Sequence, residues 1–367
     1  MNDSVDNETE VYKWAFGPTI SGLLIADTTL SVSFSVLVNS IIIIAVITDS
    51  KLHHNKFWYG LSLAVADLIG TLNLGFGCYN ILYDGWPVQN RPLCKFWSCI
   101  DFTSGLIASL TIALISFDQY KLVRYPDIYE QEETGRRVAG RIISVWIFAI
   151  LFYFPPVIFW DMVVGYSVVA IDQCDPEFKE VFWATVFQSV VEFFIPFTVI
   201  LVYNYKLIKF IRGQLSKVHY LKQELKKVPR ESTIFTMNSA EHEKIEARIF
   251  ERERIKEEIR SIDVGRKNAR SLIILVLLFF CVWFPWEVIG NLVEPICKCT
   301  PDDLYQAVYW LNYHLVVVNA IVYGLTVQRV RYHIKRLFVG CASTFFRKTS
   351  HRPKEASKST VTPSREQ

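Results

Sequence analysis

The chain has 367 residues, of which 51% are hydrophobic and 14% aromatic, and its formal net charge is only +3. This length would suit two soluble domains or one membrane domain. Long stretches without an ionisable side chain exclude the soluble alternative, because a soluble core interrupts such runs with polar faces.

The predicted elements are seven membrane-spanning helices. Four of them contain a long run without ionisable side chains, apart from His314 in the last one. The other three are apolar stretches with one or two charged residues each, among them Asp67, Asp101 and Glu192. We therefore predict an all-α membrane protein, a seven-transmembrane helix bundle. In chain order, the approximate spans are residues 22–48, 55–83, 91–124, 140–160, 181–213, 262–292 and 303–327.

The segments outside the spans differ in composition. An extracellular N-terminus (1–20) is predicted before the seven-helix domain (21–345), with a long inner loop at 213–262. Acids and bases three to four residues apart at 239–267 favour a solvated helical extension of span six, the alternative being a contact surface for a cytosolic partner. Bases alternating with apolar residues after span seven predict a short amphipathic eighth helix, followed by a disordered cytoplasmic tail at 346–367.

The placement of the charges predicts the orientation of the chain. Lys and Arg concentrate after spans one, three and seven, whereas Asp and Glu concentrate at the start of the chain and before spans five and seven. Because basic loops stay cytoplasmic, we expect a multi-pass protein of the cell membrane with an extracellular N-terminus. Asn2 and Asn7 lie in glycosylation sequons, which agrees with that side. Span one is expected to act as an uncleaved signal anchor.

Four cysteines are candidates for disulfides in the outer loops. Cys94 begins span three and Cys174 lies in the long outer loop before span five, so a bridge between them would hold this loop over the mouth of the bundle. Cys297 and Cys299 are separated by one residue, where a local bridge is possible. Cys341 follows the amphipathic segment, and both palmitoylation and an unmodified thiol are open there.

Asp101 is the most informative residue of the chain. It is a lone carboxylate in span three, with no other charge until Asp118. A charge at the centre of a bilayer costs about 2.5 to 3.5 kcal/mol on insertion scales, so it usually faces a cavity and has a function. No Lys or Arg lies in the middle of a span to pair with it. We predict that Asp101 holds a cationic ligand, the alternative being a contact with a neighbouring span and no ligand.

Single residues at fixed depths in the spans support a family resemblance. These markers are Asn39, the run from Leu61 to Asp67, Cys94, Trp146, Pro196, Trp283-Phe284-Pro285 and Asn319 to Tyr323. On these residues the chain resembles, over residues 20 to 345, the rhodopsin-like (class A) G-protein-coupled receptors. This resemblance implies a heterotrimeric G-protein as partner in a lipid membrane, and no nucleic acid.

Within that family the chain resembles the aminergic receptors. The resemblance implies that Asp101 pairs with the ammonium group of a biogenic amine, with Trp310 and Tyr313 as an aromatic lid. Glu192, four residues before Pro196, is similar to an acid in the third and fourth histamine receptor subtypes, where it meets the imidazole. A histamine-like ligand is therefore expected before an acetylcholine-like one.

A third acid adds to the predicted ligand site. Glu287 lies near the position of an Asn in muscarinic receptors, and it shares a helix face with Trp283 and Trp286 at i, i+3 and i+4 spacing. The predicted ligand-binding residues are Asp101, Gln188, Glu192, Trp283, Trp286, Glu287, Trp310 and Tyr313.

The inner half departs from the family pattern. The usual Asp-Arg-Tyr is Asp118-Gln119-Tyr120, and Gly265 lies where span six normally has an acid. The Asn-Pro-x-x-Tyr motif has alanine in place of proline, and Ala108 and Leu315 weaken the case for a sodium ion at Asp67. We predict atypical or weak G-protein coupling. The predicted activation and coupling residues are Asp67, Asp118, Gln119, Tyr120, Asn319 and Tyr323.

Two alternatives to an amine receptor are a class A receptor for another kind of ligand and a transporter. A class A receptor for a peptide, or for a ligand other than an amine, would also suit the acidic outer loops. A transporter is less favoured, because paired broken helices or an inverted repeat are not visible. The sequence contains no catalytic constellation, so we predict no enzymatic activity, no cofactor and no metal site.

Overall fold

A computed structural model describes residues 17–52, 57–83, 86, 90–167, 169, 174–227, 239–326, 330–334 and 336. The predicted glycosylation sites Asn2 and Asn7, the palmitoylation site Cys341 and the tail at 346–367 lie outside the described residues. Of the predicted eighth helix, the described residues at 330–334 and 336 are helical.

The described residues form eleven α-helices and no β-strand. By length and composition, six helical segments can cross a membrane. The seventh transmembrane element consists of two shorter helices, α10 and α11, with a break at His314. The bounds are α1 (Pro18–Thr48), α2 (Trp58–Tyr83), α3 (Arg91–Arg124), α4 (Pro126–Glu132), α5 (Gly135–Val164), α6 (Phe182–Ser189), α7 (Ile195–Lys227), α8 (Ser239–Val288), α9 (Glu294–Cys297), α10 (Asp302–Tyr313) and α11 (Leu315–Thr326).

Two π-helical segments interrupt the long helices in their outer halves. Residues Val190–Phe194 join α6 to α7, and residues Ile289–Val293 join α8 to α9. Such segments insert an extra residue into a helix and occur frequently at functional sites. Glu192 lies in the first segment. Glu287 is the last residue but one of α8, just before the second segment.

The helices pack as a ring around α3. This helix contacts α2, α5, α7 and α8, and the contact of α1 with both α2 and α11 closes the ring. Many large apolar side chains remain exposed on the outside, such as Leu30 and Ile44 of α1 and Ile143 and Leu151 of α5. A surface of this kind is suited to lipid, since the backbone polar groups are satisfied within each helix.

At one end of the bundle, α7 and α8 continue well into the segment at 213–262 that the sequence assigns to an inner loop. An ion pair between Lys217 and Glu258 connects the two extensions. Arg252 also donates a hydrogen bond from Nη1 to the carbonyl of Leu225 at 3.2 Å. The helical extension predicted for 239–267 therefore has α7 as its neighbour.

A buried carboxylate organises the inner loop between α3 and α5. Glu133 is 4% exposed. It accepts hydrogen bonds from Lys121 Nζ of α3 at 2.6 Å and from Arg141 Nη1 of α5 at 2.6 Å. Arg141 also donates to the hydroxyl of Tyr59 on α2 at 3.1 Å. Burial raises the pKa of Glu133, but the hydrogen bonds from Arg141 and Lys121 outweigh burial, so its pKa is lowered from the ordinary value.

The substitution Glu133→Gln should lower the free energy of unfolding by about 2 kcal/mol, because two charged hydrogen-bond donors lose their acceptor. A group with a lowered pKa stabilises the fold above its ordinary pKa and loses this effect as the pH falls through its folded value. The stability difference between the two proteins should therefore shrink below about pH 4.3. Thermal unfolding of the detergent-solubilised protein measures both effects.

Glu132→Gln is the matched control, because this neighbouring carboxylate has a 52% exposed side chain and its contact with Lys121 is longer, at 3.4 Å. An equal loss of stability in both variants would contradict the role assigned to Glu133.

Candidate functional site

A cavity joins the outer loops to the middle of the helix bundle. Its volume is about 320 Å³. Cys174 and Asp175 line its outer end, and Asp67 and Asn319 line its inner end. Seven of the eight predicted ligand-binding residues line the same cavity, namely Asp101, Gln188, Glu192, Trp283, Trp286, Glu287 and Tyr313.

Asp101 lies on α3 and lines this cavity. Its Oδ1 atom accepts a hydrogen bond from Asn73 Nδ2 of α2 at 2.7 Å. Among the described residues, no lysine or arginine lies within ion-pair distance of the carboxylate. Its nearest partner is thus a neutral amide, which orients the carboxylate without compensating its charge.

Two further acids, Glu192 and Glu287, form the deeper part of the site. Glu192 is 6% exposed and accepts hydrogen bonds from the hydroxyl of Tyr153 and from Gln188 Nε2, the latter at 3.0 Å. Glu287 is 1% exposed and accepts from Trp283 Nε1 at 2.8 Å and from its own helix neighbours. The two carboxylates repel each other electrostatically. All of these partners donate hydrogen bonds and none is a cation.

Gly105 gives Glu192 its place beside α3. It follows Asp101 by four residues, so the two lie on the same face of the helix, about 6 Å apart along the axis. A Cβ atom added at Gly105 would lie 3.1 Å from Glu192 Oε1 and 4.0 Å from the ring of Trp283. The missing side chain therefore lets the Glu192 carboxylate approach α3 one turn deeper than Asp101.

Aromatic rings cover the cavity on the side of α8 and α10. The ring centroid of Trp286 lies 5.5 Å from that of Tyr305 and 5.1 Å from that of Tyr309. The hydroxyl groups of Tyr309 and Tyr313 are 2.7 Å apart. Phe102 lines the cavity from α3. Aromatic faces around a carboxylate favour a cation, because the ring quadrupole attracts positive charge.

Trp310 is the predicted ligand residue that the structure places elsewhere. Its Nε1 atom donates to Asp27 Oδ2 of α1 at 3.1 Å. His314 Nε2 lies 2.9 Å from the same oxygen, and the two rings contact each other. Trp310 therefore faces α1, and Tyr309 and Tyr313 stand beside the cavity where the lid was expected.

Covalent and ionic contacts fix the outer loop over the cavity. The predicted disulfides Cys94–Cys174 and Cys297–Cys299 are both formed. Arg91 at the start of α3 forms an ion pair with Glu177 of the outer loop. The Cys94–Cys174 bridge ties this loop to the start of α3, and Cys174, Asp175 and Lys179 of the loop line the cavity together with Asp101.

The end of the bundle that the sequence assigns to the cytoplasm contains the altered Asp-Arg-Tyr motif. Asp118 is buried and accepts hydrogen bonds from the hydroxyl of Tyr129 at 2.9 and 3.1 Å. The Oε1 atom of Gln119 is buried and has no hydrogen-bond partner among the described residues. Gly265 of α8 faces the side chain of Val123, where an added Cβ would lie 3.2 Å away. The contact of α3 with α8 at this depth is apolar.

The other predicted activation residues, Asp67, Asn319 and Tyr323, connect α2 and α11. Asn319 Nδ2 donates to Asp67 Oδ1 at 3.0 Å. Asn39 is not bonded to this pair directly, since its side chain donates to Ser35 at 3.1 Å. Tyr323 packs on α2 so closely that a Cβ added at Gly60 would lie 1.7 Å from its hydroxyl.

Tyr120 belongs to an aromatic group at the inner end of the bundle. Its ring centroid lies 5.7 Å from that of Tyr203 on α7 and 6.2 Å from that of Tyr125. It packs against the core cluster formed by α3, α7 and α8.

Within the described part of the chain, no group of three or more His, Cys, Asp or Glu residues could hold a metal ion.

Sequence reasoning missed several residues of the site. Helical spacing could have identified Tyr305 and Tyr309, which lie at i−8 and i−4 from Tyr313, and also Asn73, a lone amide between leucines in span two. Lys179 could not, because it reaches the cavity from the outer loop. Its place depends on how that loop folds over the bundle.

The comparison with known proteins shows to which protein family the chain belongs. Residues 38–323 match the family described as "7 transmembrane receptor (rhodopsin family)". Because this match covers most of the chain, the protein belongs to that family, which confirms the predicted resemblance and the seven-helix membrane fold. The family consists of receptors in the plasma membrane, not of enzymes.

Three individual relatives are 24 to 28% identical to the chain. The chain is 24% identical to 5-hydroxytryptamine receptor 1F of Mus musculus over 337 residues, which cover 84% of this chain and 88% of the relative. It is 24% identical to 5-hydroxytryptamine receptor 7 of Xenopus laevis over 307 residues, 79% and 70% of the two chains. It is 28% identical to the histamine H1 receptor of Homo sapiens over 176 residues, 47% and 36% of the two chains.

The substitution Glu287→Gln should raise the melting temperature of the unliganded protein. It removes one of two like charges from a buried cavity and keeps an oxygen that can accept from Trp283. A gain of about 1 kcal/mol corresponds to an increase of about 2 to 4 °C in a protein somewhat smaller than this one. Thermal unfolding in detergent without added amines measures it.

Glu180→Gln serves as the matched control, since this outer-loop acid is exposed and does not line the cavity. A lower melting temperature for Glu287→Gln, with Glu180→Gln unchanged, would mean that the charge of Glu287 stabilises the fold.

Proposed function

We propose that this protein is a cell-surface receptor for a small biogenic amine, with Asp101 as the residue that binds the ammonium group. The observation that carries the proposal is that Asp101 lines a cavity and, among the described residues, has only the neutral side-chain amide of Asn73 within bonding distance. The relatives support it, because their names are those of serotonin and histamine receptors.

The energetics favour a charged ligand. A buried carboxylate recovers the cost of its lost hydration only when a cation with good geometry comes next to it. The aromatic rings of Tyr309, Tyr313 and Phe102 around the cavity would add about 1 to 2 kcal/mol of cation-π attraction. A neutral ligand would leave Asp101 without compensation for its charge.

The second end of the ligand is assigned to Glu192. Because Glu192 approaches α3 at Gly105, one turn below Asp101, a ligand with an ammonium group and a second polar or charged end could contact both acids. Histamine has an ethylammonium group and an imidazole that can donate a hydrogen bond, which fits this arrangement. An acetylcholine-like ligand is the second choice, since its ester accepts hydrogen bonds and cannot donate one to Glu192.

The acidic outer loops and basic inner loops support an extracellular N-terminus, with Asn2 and Asn7 as glycosylation sites. The ligand would then enter from outside, and a heterotrimeric G-protein would bind the cytoplasmic ends of α3, α7 and α8. We expect this coupling to be atypical, because Gln119 and Gly265 leave α3 and α8 without the usual ionic contact.

The substitution Asp101→Asn should weaken amine binding about 100-fold or more, because breaking a buried ion pair costs about 3 to 5 kcal/mol. A panel of histamine, serotonin, acetylcholine and polyamines, tested on transfected cells with a readout that detects any G-protein, identifies the amine. Competition binding with that amine then measures the loss.

Asp303→Asn is the control for Asp101→Asn, because Asp303 is an exposed acid on the same side of the membrane at the start of α10. If the Asp101→Asn receptor binds the amine as tightly as the native receptor, the proposed site is wrong. If no amine of the panel activates the native receptor, the proposed ligand class is wrong.

The substitution Gln119→Arg should strengthen agonist-driven nucleotide exchange, because arginine restores the charged contact that this family makes with the G-protein. We expect an increase of about fivefold, the lower end of typical coupling energies. Exchange of labelled nucleotide on membranes measures it, with Gln119→Met as a neutral control of similar size. An unchanged response in the arginine variant would count against this account of coupling.

A further inference from the structure

The amine cavity already contains a cation of the protein itself. Lys179 of the outer loop lines the cavity together with Asp101 and Glu287. Its Nζ atom lies over the ring of Phe102, 5.0 Å from the centroid, and over the ring of Trp286, 5.4 Å from the centroid. An ammonium group between two aromatic faces is the arrangement that proteins use to recognise ligand cations.

The backbone of Lys179 is fixed. The residue lies in a single 3₁₀ turn, Glu177–Glu180, where its N–H donates to the carbonyl of Pro176 at 3.0 Å. Its own carbonyl accepts from Thr185 Oγ1 of α6 at 3.1 Å. The Cys94–Cys174 disulfide ties the preceding residues to α3. The loop therefore holds the base of the side chain above the cavity.

The charges around Lys179 keep its ammonium at this place. It attracts the carboxylates of Asp101 and Glu287 electrostatically, although neither is within ion-pair distance. Its closest acid is Asp175, at 4.0 Å, whose side chain is 58% exposed. An exposed pair of this kind contributes little. The aromatic rings and the buried acids therefore dominate the environment of the ammonium.

We propose that Lys179 is a tethered competitor for the outer half of the amine site and thereby determines which cations bind. The inference rests on the proposed function, because both concern the cavity at Asp101. A small monocation that reaches only the aromatic box of Phe102 and Trp286 must displace Lys179. A longer ligand with a second positive or donating end also gains contacts with Glu192, a deeper acid that bonds to Tyr153 and Gln188 and not to Lys179. The receptor therefore selects extended dications over small quaternary ammonium ions.

The test uses tetramethylammonium chloride as the probe, because this ion can fill the aromatic box and cannot reach further. The purified full-length receptor and its Lys179→Gln variant are titrated with the probe, and the melting temperature reports binding, since a ligand of the folded state stabilises it. Sodium chloride at equal ionic strength corrects for screening. We expect Lys179→Gln to bind the probe at least tenfold more tightly than the native receptor.

Three variants are the controls. Lys179→Arg keeps the charge and should resemble the native receptor. Lys298→Gln removes an exposed outer-loop lysine from the same side of the protein and should also resemble it. Lys179→Met replaces Lys179→Gln if the latter folds poorly, and should show the same gain.

Equal affinity of the native receptor and of Lys179→Gln for the probe, or no binding to either, would overturn the proposal. The double variant Lys179→Gln with Asp101→Asn separates this result from the proposed function. If the double variant binds the probe no more tightly than the native receptor, both proposals are supported. If the double variant still binds the probe more tightly, Lys179 is the competitor, but Asp101 is not the anion of the amine site.

Discussion

The main constraint on this structure is that three carboxylates line one cavity inside the helix bundle. Asp101, Glu192 and Glu287 come from three different helices, and their side-chain partners within bonding distance are hydrogen-bond donors without charge. Such donors orient the acids but leave their mutual repulsion, which is expensive in a medium of low dielectric constant. The bundle can bear this cost because the aromatic rings of α8 and α10 and the Lys179 ammonium stand over the same space.

The sequence predicted the fold and much of the site from the positions of single polar residues in apolar spans. A lone acid in a span is conspicuous, so Asp101 and Glu192 could be found without a structure. Trp310 shows the limit of this reasoning, because its rotation toward Asp27 depends on how α1 packs against α10. Lys179 shows another, since a loop has no periodicity that tells which of its side chains turns inward.

The inner end of the bundle shows how a family pattern can change while its architecture remains. Without an arginine after Asp118, this acid bonds to Tyr129 of the inner helix α4. The buried Glu133 next to that helix bonds to cations from α3 and α5. The inner loop is thus held to α3 through its own contacts, whereas α3 and α8 meet at Val123 and Gly265 without any charge. Among the described side chains, no ion pair joins α3 to α8 at this depth.

Two of the three cavity acids, Glu192 and Glu287, lie where the helices are irregular. Glu192 belongs to a π-helical segment, and a second one begins two residues after Glu287. The indole of Trp283 donates to Glu287, and its ring contacts Phe279 and Phe193 of the core. A cation that compensates both acids therefore changes the charge balance on α7 and α8 at once, at points where each helix holds an extra residue. Because a ligand shifts a population only through different affinities for two states, these two segments are where such a difference can arise.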